Sequence, residues 1–344
     1  MGLKGKKRLC AALAAVWTAL CCAGCSAAPK QRYQVTYMEL FDTVTAITGY
    51  AESEEEFNRE AGRIHDELEA YDHLYDIYQE YPETVNLCTV NRSAGETLTV
   101  DQRIIDLLLM AKEIDGMTGH RVDAMYGAVL RIWHEAREEG ILHPESAKVP
   151  ERAELEAAAA HTGFGLIEID PEKRTVRLTD PEASLDVGAL AKGYATQKVA
   201  ETLPEGYLLS VGGNVSATGP KPDGKPWVVG IQNPDAGEQA YLERVEISRG
   251  AVVTSGDYQR YYVADGVKYH HIIDPETMYP GEKWRAVTVI TEDSGTADAL
   301  STALFLMDRE EGQALLDRIG GEALWIAPDG EIVQSPGLGD WLRK

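Results

Sequence analysis

Strand-like and helix-like runs alternate irregularly along this chain, and that irregularity limits the fold more than any single motif does. LFDTVTAITGYA (40–51) is rich in β-branched residues and reads as a strand. Ser53 and Glu56 follow with capping-box spacing. Phe57, Ala61, Ile64, Leu68 and Tyr71 then recur at helical intervals. DQRIIDLLLMAKEID (101–115) is a second helix, stopped near Gly116. TVRLTD (175–180) is a short strand. LDVGALAKGYATQKVAETL (185–203) is a loop feeding a helix, and YLLSVGGNVSATG (207–219) a strand broken by a double glycine. Further strands are expected at 227–232, 244–256 and 285–291, and a helix at TADALSTALFLMD (296–308). A doubly wound parallel sheet requires regular β-α-β alternation, so this order points to the α+β class. There is no internal repeat and no interdomain linker. At 344 residues and 44% hydrophobic content the chain can bury a sizeable core.

The first 25 residues are written differently. Lys4, Lys6, Lys7 and Arg8 precede an apolar run from Leu9 to Ala23, the layout of an export signal and too short for a comfortable membrane span. Small Ala23 and Gly24 stand before Cys25, as in a bacterial lipoprotein signal, although Cys22 occupies the position where leucine is usual. The expectation is a signal over 1–24, a lipidated Cys25, and a tether over 25–34 leading to one domain over 35–344. That places the domain outside the cytoplasm, anchored to the bacterial cell membrane. Cys10, Cys21 and Cys22 leave with the signal, so Cys88 has no partner for a disulfide and reads as a small core residue. Removing the four basic residues takes the net charge from −23 to −27. Such a charge argues against nucleic acid, which is held by phosphate neutralisation, and against membrane contact beyond the lipid.

Four stretches could carry chemistry. In GALAKGYA (188–195), Lys192 sits among small residues at a helix start, which suits either an anion site or a solvated lysine; the spacing is not that of a P-loop. SVGGNVSATG and VVTSGDYQRYY put glycine and hydroxyl residues at strand ends, where a ligand could approach the main chain or a bulge could form. Asp298 and Thr302 lie at i and i+4 on an otherwise apolar helix face. They are either hard oxygen ligands for Mg²⁺ or an N-cap aspartate with a threonine bonded to the preceding turn. In YHHIIDP (269–275), Pro275 biases Asp274 away from helix, and adjacent strand residues point to opposite faces. One histidine at most can then face a site, which favours a general base over a two-histidine metal clamp.

Taken in order, FDTVTAITGYA, SLDVGALAKGYATQ, SVGGNVSATG, AVVTSGDYQRYY, YHHIIDP and TADALSTALF resemble the ApbE family of FAD:protein FMN transferases, over about residues 35–340. The resemblance implies a mixed fold with largely antiparallel sheets flanked by helices. It implies an exported lipoprotein that binds FAD with Mg²⁺, transfers the FMN half to a Thr or Ser hydroxyl of an acceptor protein, and releases AMP. It makes Asp298, Thr302 and the carbonyl of Ala189 the metal ligands. It assigns Asp186, Lys192, Phe41, Tyr78, Asp123, Ser255, Gly256 and Ile272 to the FAD site. His271 becomes the base, supported by Asp274, and His270 a bystander.

The chain departs from the family pattern at Phe41-Asp42, where Met-Gly is common, at HRVDAM (120–125), which keeps Asp123 but loses an aromatic, and at Met278, where glycine is expected. Two alternatives follow from the same residues: an FAD pyrophosphatase giving FMN and AMP, or a tethered flavin-binding protein without chemistry. Family acceptors carry a short threonine or serine motif and often belong to membrane or exported electron-transfer systems. No such motif occurs in this chain.

Overall fold

Eight strands form the main sheet of the computed structural model, which describes residues 29–235 and 240–343. They are β1 (Gln31–Tyr37), β2 (Thr45–Ala51), β3 (Tyr207–Val211), β4 (Asn214–Ala217), β5 (Gly250–Gly256), β6 (Ala286–Thr291), β7 (Glu322–Ile326) and β8 (Ile332–Gln334). They lie side by side in chain order, and every neighbouring pair is antiparallel. The sheet is therefore a meander, interrupted by long excursions that cover its faces. This is the α+β, largely antiparallel architecture expected from the sequence.

The central strands read as continuous apolar runs because both faces are covered. Ala251 and Val253 of β5, Val287 and Val289 of β6, and Ala323 and Trp325 of β7 enter the main core. Their alternates Val252, Ala286, Ile290, Leu324 and Ile326 enter a second core under the hairpin Trp227–Gln232/Tyr241–Ile247. The excursion between β2 and β3 carries the helices α1 (Glu54–Tyr75), α2 (Leu87–Arg92), α3 (Gln102–Met117), α4 (Gly127–Leu142), α5 (Arg152–Ala159) and α6 (Ala191–Glu201), with a small three-stranded sheet. Between β6 and β7 come α7 (Ser294–Leu306) and α8 (Arg309–Ile319). No helix among the described residues is long and apolar enough to cross a membrane.

The caps behave as the sequence suggests. Ser53 Oγ accepts from the Glu56 N–H at 3.2 Å, and Glu56 reaches back to the Glu52 N–H at 2.9 Å. Gly212 and Gly213, with φ of 56° and 93°, form the two-residue turn joining β3 to β4, where left-handed backbone at both positions matches the strand twist. Cys88 is buried in α2.

Several boundaries differ from expectation. β2 begins only at Thr45, because Phe41 and Asp42 adopt left-handed backbone (φ 53° and 51°) in a turn. The run 244–256 is two strands, parted at Ser248 and Arg249, just before Gly250 with its φ of 111°. β1 takes in Gln31–Gln34, the last residues of the expected tether, because Gln31 through Tyr37 pair with Ala51 through Thr45. Helix α4 had no counterpart in the sequence reading. Cys25 and the signal lie outside the described residues.

Candidate active site

Helices α6 and α7 cross in close contact at Gly193. A Cβ on Gly193 would come within 2.3 Å of the Ser294 carbonyl oxygen and 2.4 Å of the Asp298 Cβ, so only glycine lets the helices meet. That approach brings the Gly193 N–H to 2.8 Å from Asp298 Oδ2. Asn214, set at the start of β4 by the double-glycine turn, donates to the same oxygen at 3.2 Å. Burial pushes the Asp298 carboxyl above the usual carboxylate range, opposed by Lys192, whose Nζ lies 3.8 Å away.

A cavity of about 670 Å³ opens from this crossing. All the expected site residues except Phe41 and Asp274 line it. Phe41 instead packs against the main core, and the wall there is made by Asp42, Thr43 and Val44, because the left-handed turn presents the residues after Phe41. Asp274 makes no bond to His271. Its carboxylate takes Arg121 Nη1 at 3.2 Å and the Glu276 N–H at 2.9 Å, tying its loop to the segment that carries Asp123. It supports the turn that follows His271, as expected, without a bond to the imidazole.

The alternative for Asp298 and Thr302 fails on geometry. The N-cap of α7 is Asp293, which accepts from the Thr296 N–H at 2.7 Å. The Asp298 carbonyl is taken by Ser301 Oγ at 2.9 Å, while Thr302 Oγ1 lies 3.2 Å from Ser255 Oγ. Both protein hydrogen bonds to the Asp298 carboxylate fall on Oδ2. Among the described residues no group of three or more His, Cys, Asp or Glu could hold a metal. A carboxylate, a hydroxyl and main-chain carbonyls are instead a hard-oxygen set suited to Mg²⁺. The buried Asn214 Oδ1 has no partner. The loop Ser184–Leu190, which carries Ala189, is held by Asn91 through both its amide atoms, at 2.7 and 3.0 Å to Leu185, and by the Asp186 N–H to Ala124 at 2.8 Å. Asp186 accepts from the Gly188 N–H at 2.9 Å, and burial raises its pKa. Lys192 Nζ donates to the Gly188 carbonyl at 3.0 Å.

The two histidines separate as expected. His270, buried at the end of the strand Val267–His270, uses both ring nitrogens: Nε2 lies 2.8 Å from the Gly281 carbonyl oxygen, and Nδ1 accepts from the Ile272 N–H at 3.2 Å. His271 faces the cavity, and its Nδ1 is 3.2 Å from the Arg260 carbonyl oxygen. A carbonyl only accepts, so Nδ1 carries the proton and Nε2 keeps its lone pair. Enclosure in the protein, then the charges of Arg260, His270, Lys192 and Arg137, lower its pKa to about 3. The imidazole is neutral at pH 7.

The sequence reading missed Asn214 and one whole wall. Leu130, Trp133, His134 and Arg137 of α4 all line the cavity, at i, i+3, i+4 and i+7. That periodicity was the available signal. Tyr78 stacks on His134, with centroids 4.6 Å apart at 27°.

Known proteins with this chain's pattern share its fold. An FAD:protein FMN transferase of Klebsiella pneumoniae is 30% identical over 80% of this chain and 84% of its own length. One of Treponema pallidum is 31% identical over 75% of each chain. The crystal structure of the ApbE protein of Thermotoga maritima superposes with a TM-score of 0.81 at 30% identity, covering 91% of this chain and all of its own. The flavin transferase ApbE from Vibrio cholerae gives 0.76 at 27% identity, with the same coverages. The sequence model of the ApbE family matches residues 39–325, most of the described structure, and the chain belongs to that family.

Proposed function

We propose that this protein is an FAD:protein FMN transferase that uses Mg²⁺ to move FMN from FAD to a Thr or Ser hydroxyl of an acceptor protein, with release of AMP. The observation that carries the reading is one cavity holding Asp298, Thr302, Lys192 and a neutral His271 together. The relatives' shared activity supports it. Asp298, Thr302 and the carbonyl of Ala189 would hold the metal, which supplies charge neutralisation on the pyrophosphate oxygens.

The chain's own groups do the rest. The acceptor hydroxyl attacks the FMN-side phosphorus, a new O–P bond forms, and the bond to the AMP phosphate breaks. The hydroxyl proton passes to His271 Nε2, whose tautomer is fixed by Arg260. Lys192 stabilises charge developing on the phosphates. A pyrophosphate dianion beside His271 adds charge opposite to that of the surrounding cations, which raises the ring's proton affinity toward the working range. We propose further that the chain is exported and anchored through a lipid on Cys25, its acceptor lying in a membrane or exported electron-transfer system.

The test is the intact mass of an acceptor domain after incubation with the protein, FAD and Mg²⁺. A gain of FMN minus water, abolished by EDTA, is expected. Release of AMP with no gain would make it an FAD pyrophosphatase. Bound FAD with neither product would make it a carrier.

A further inference from the structure

Two well-enclosed arginines line the cavity, and they are partnered very differently. Arg121, with 10% of its side chain exposed, pairs with Asp274 at 3.2 Å, Glu276 at 2.9 Å and Glu311 at 3.9 Å. Arg137, with 15% exposed, has no carboxylate within hydrogen-bond reach among the described residues; the nearest is Glu138 at 3.8 Å, itself more than half exposed. Its one close partner is neutral: Nη2 donates to His134 Nδ1 at 2.7 Å. A guanidinium offers five N–H donors, and burying one without an anion is costly. Lys192 differs in having a buried counter-charge, since its Nζ lies 3.8 Å from Asp298 Oδ2 and donates to the Gly188 carbonyl. The rest of the protein is strongly acidic, at −23 overall. An unpaired, enclosed cation on a cavity wall of such a chain is suited to an anion that arrives from outside.

We propose that Arg137 is an anion-binding residue that holds a phosphate of the bound dinucleotide, and that His134 is a positioning residue that aims its guanidinium. This rests on the FAD reading above and adds a residue to it. The surroundings favour a phosphate over an acceptor carboxylate. Asp186, Arg260 and Tyr78 lie close enough to act on the charge of Arg137, and Arg137 in turn acts on His271. Arg137 thus sits among the groups assigned to FAD and the transferred phosphoryl group. Stacking of Tyr78 on His134 fixes the imidazole ring, and a fixed ring with its lone pair on Nδ1 fixes the fork.

The experiment is equilibrium binding of FAD, ADP and riboflavin to the full chain in detergent, with EDTA present so that the metal does not contribute. Arg137→Gln is expected to weaken FAD and ADP by about tenfold to a hundredfold, the range of a charge-assisted hydrogen bond, and to leave riboflavin unchanged. Arg137→Lys should recover part of the loss. His134→Ala should weaken ADP less than Arg137→Gln does, with His134→Gln restoring it through an amide oxygen that accepts the same N–H. Glu138→Gln should change nothing. Equal FAD and ADP affinity in the wild type and Arg137→Gln overturns the proposal. So does intact FAD binding with a raised KM for the acceptor, which would make Arg137 a reader of acceptor carboxylates. If the wild type binds no FAD even when Mg²⁺ replaces the EDTA, the functional reading has failed, independently of Arg137.

Discussion

On the α6–α7 wall of the cavity, Asp298 is fixed by the main-chain N–H of Gly193 and by Asn214. On the α4 wall, His134 and Arg137 are held largely by each other, beside a Tyr78 that is 54% exposed. The first wall is set by backbone that cannot move without parting two packed helices. The second is made of side chains on a partly exposed helix. Groups that must meet a metal at fixed distances belong on the first; groups that meet a ligand of variable pose can sit on the second. Perturbing each wall should therefore give different signatures.

The largest effect is expected from Asp298→Ala. Removing the one buried carboxylate of the hard-oxygen set should cut acceptor flavinylation by on the order of 100–1,000-fold. Thermal stability should hold or rise without Mg²⁺, because the carboxyl is buried at a cost that the bonds to Oδ2 only partly offset. A melting temperature that falls steeply would recast Asp298 as a structural residue.

Next comes the histidine pair. His271→Ala should lower transfer by about 10²-fold, the low end of what a general base contributes, while leaving FAD binding intact. His270→Ala should do the reverse. It strands the buried Ile272 N–H and the Gly281 carbonyl, and should cost roughly 1–3 kcal/mol of stability. Chemical denaturation alongside the acceptor assay separates the two. Normal transfer by His271→Ala would remove it as the base.

A smaller effect is expected at Asp123, whose carboxyl burial pushes up to about 6. Its folded form holds the proton more tightly than the unfolded chain, so stability falls as pH rises from about 4 to about 6 and stays lower above that. Asp123→Asn keeps an oxygen for the Met125 N–H bond. It should match the wild type at pH 4 and exceed it by about 1–2 kcal/mol at pH 8, allowing for solvent screening. Equal stability at both pH values would mean the carboxyl is not perturbed. A loss of FAD affinity in the same variant would tie that carboxylate to the ligand.

What could be read from the sequence follows the same division between the walls. Asp298 and Thr302 were legible as a pair because four residues on a helix are one turn, but spacing left a ligand pair and an N-cap both open, and it was the family resemblance that pointed to a metal. The meander was legible as a class, but not in its order, because strands covered on both faces lose the alternation that marks an edge. Asn214 was hidden inside a glycine-rich run whose turn geometry shows only once β3 and β4 pair. Arg137 was hidden because three of its four neighbours in sequence, Glu135, Glu138 and Glu139, are acidic, the pattern of a solvated helix surface. Only the fold shows that its side chain turns the other way.

The smallest effect concerns a departure from the family pattern. Met278 stands where glycine is expected, and its backbone is left-handed, with φ of 65°. The position requires glycine-like backbone whatever the side chain, since the Met278 N–H closes the turn onto the Asp274 carbonyl at 2.7 Å. Left-handed backbone costs a non-glycine residue about 1–2 kcal/mol. The side chain offsets that cost: it is 8% exposed and packs in the cluster with Trp133 and Tyr262, where burial contributes roughly 1.5–3 kcal/mol. Met278→Gly should therefore lower stability by about 1 kcal/mol or less in denaturant unfolding and leave transfer within twofold. Met278→Ala keeps the strain and loses the packing, so it should be the worse of the two. If alanine proves the milder, the turn is not strained and the packing around α4 decides this loop alone.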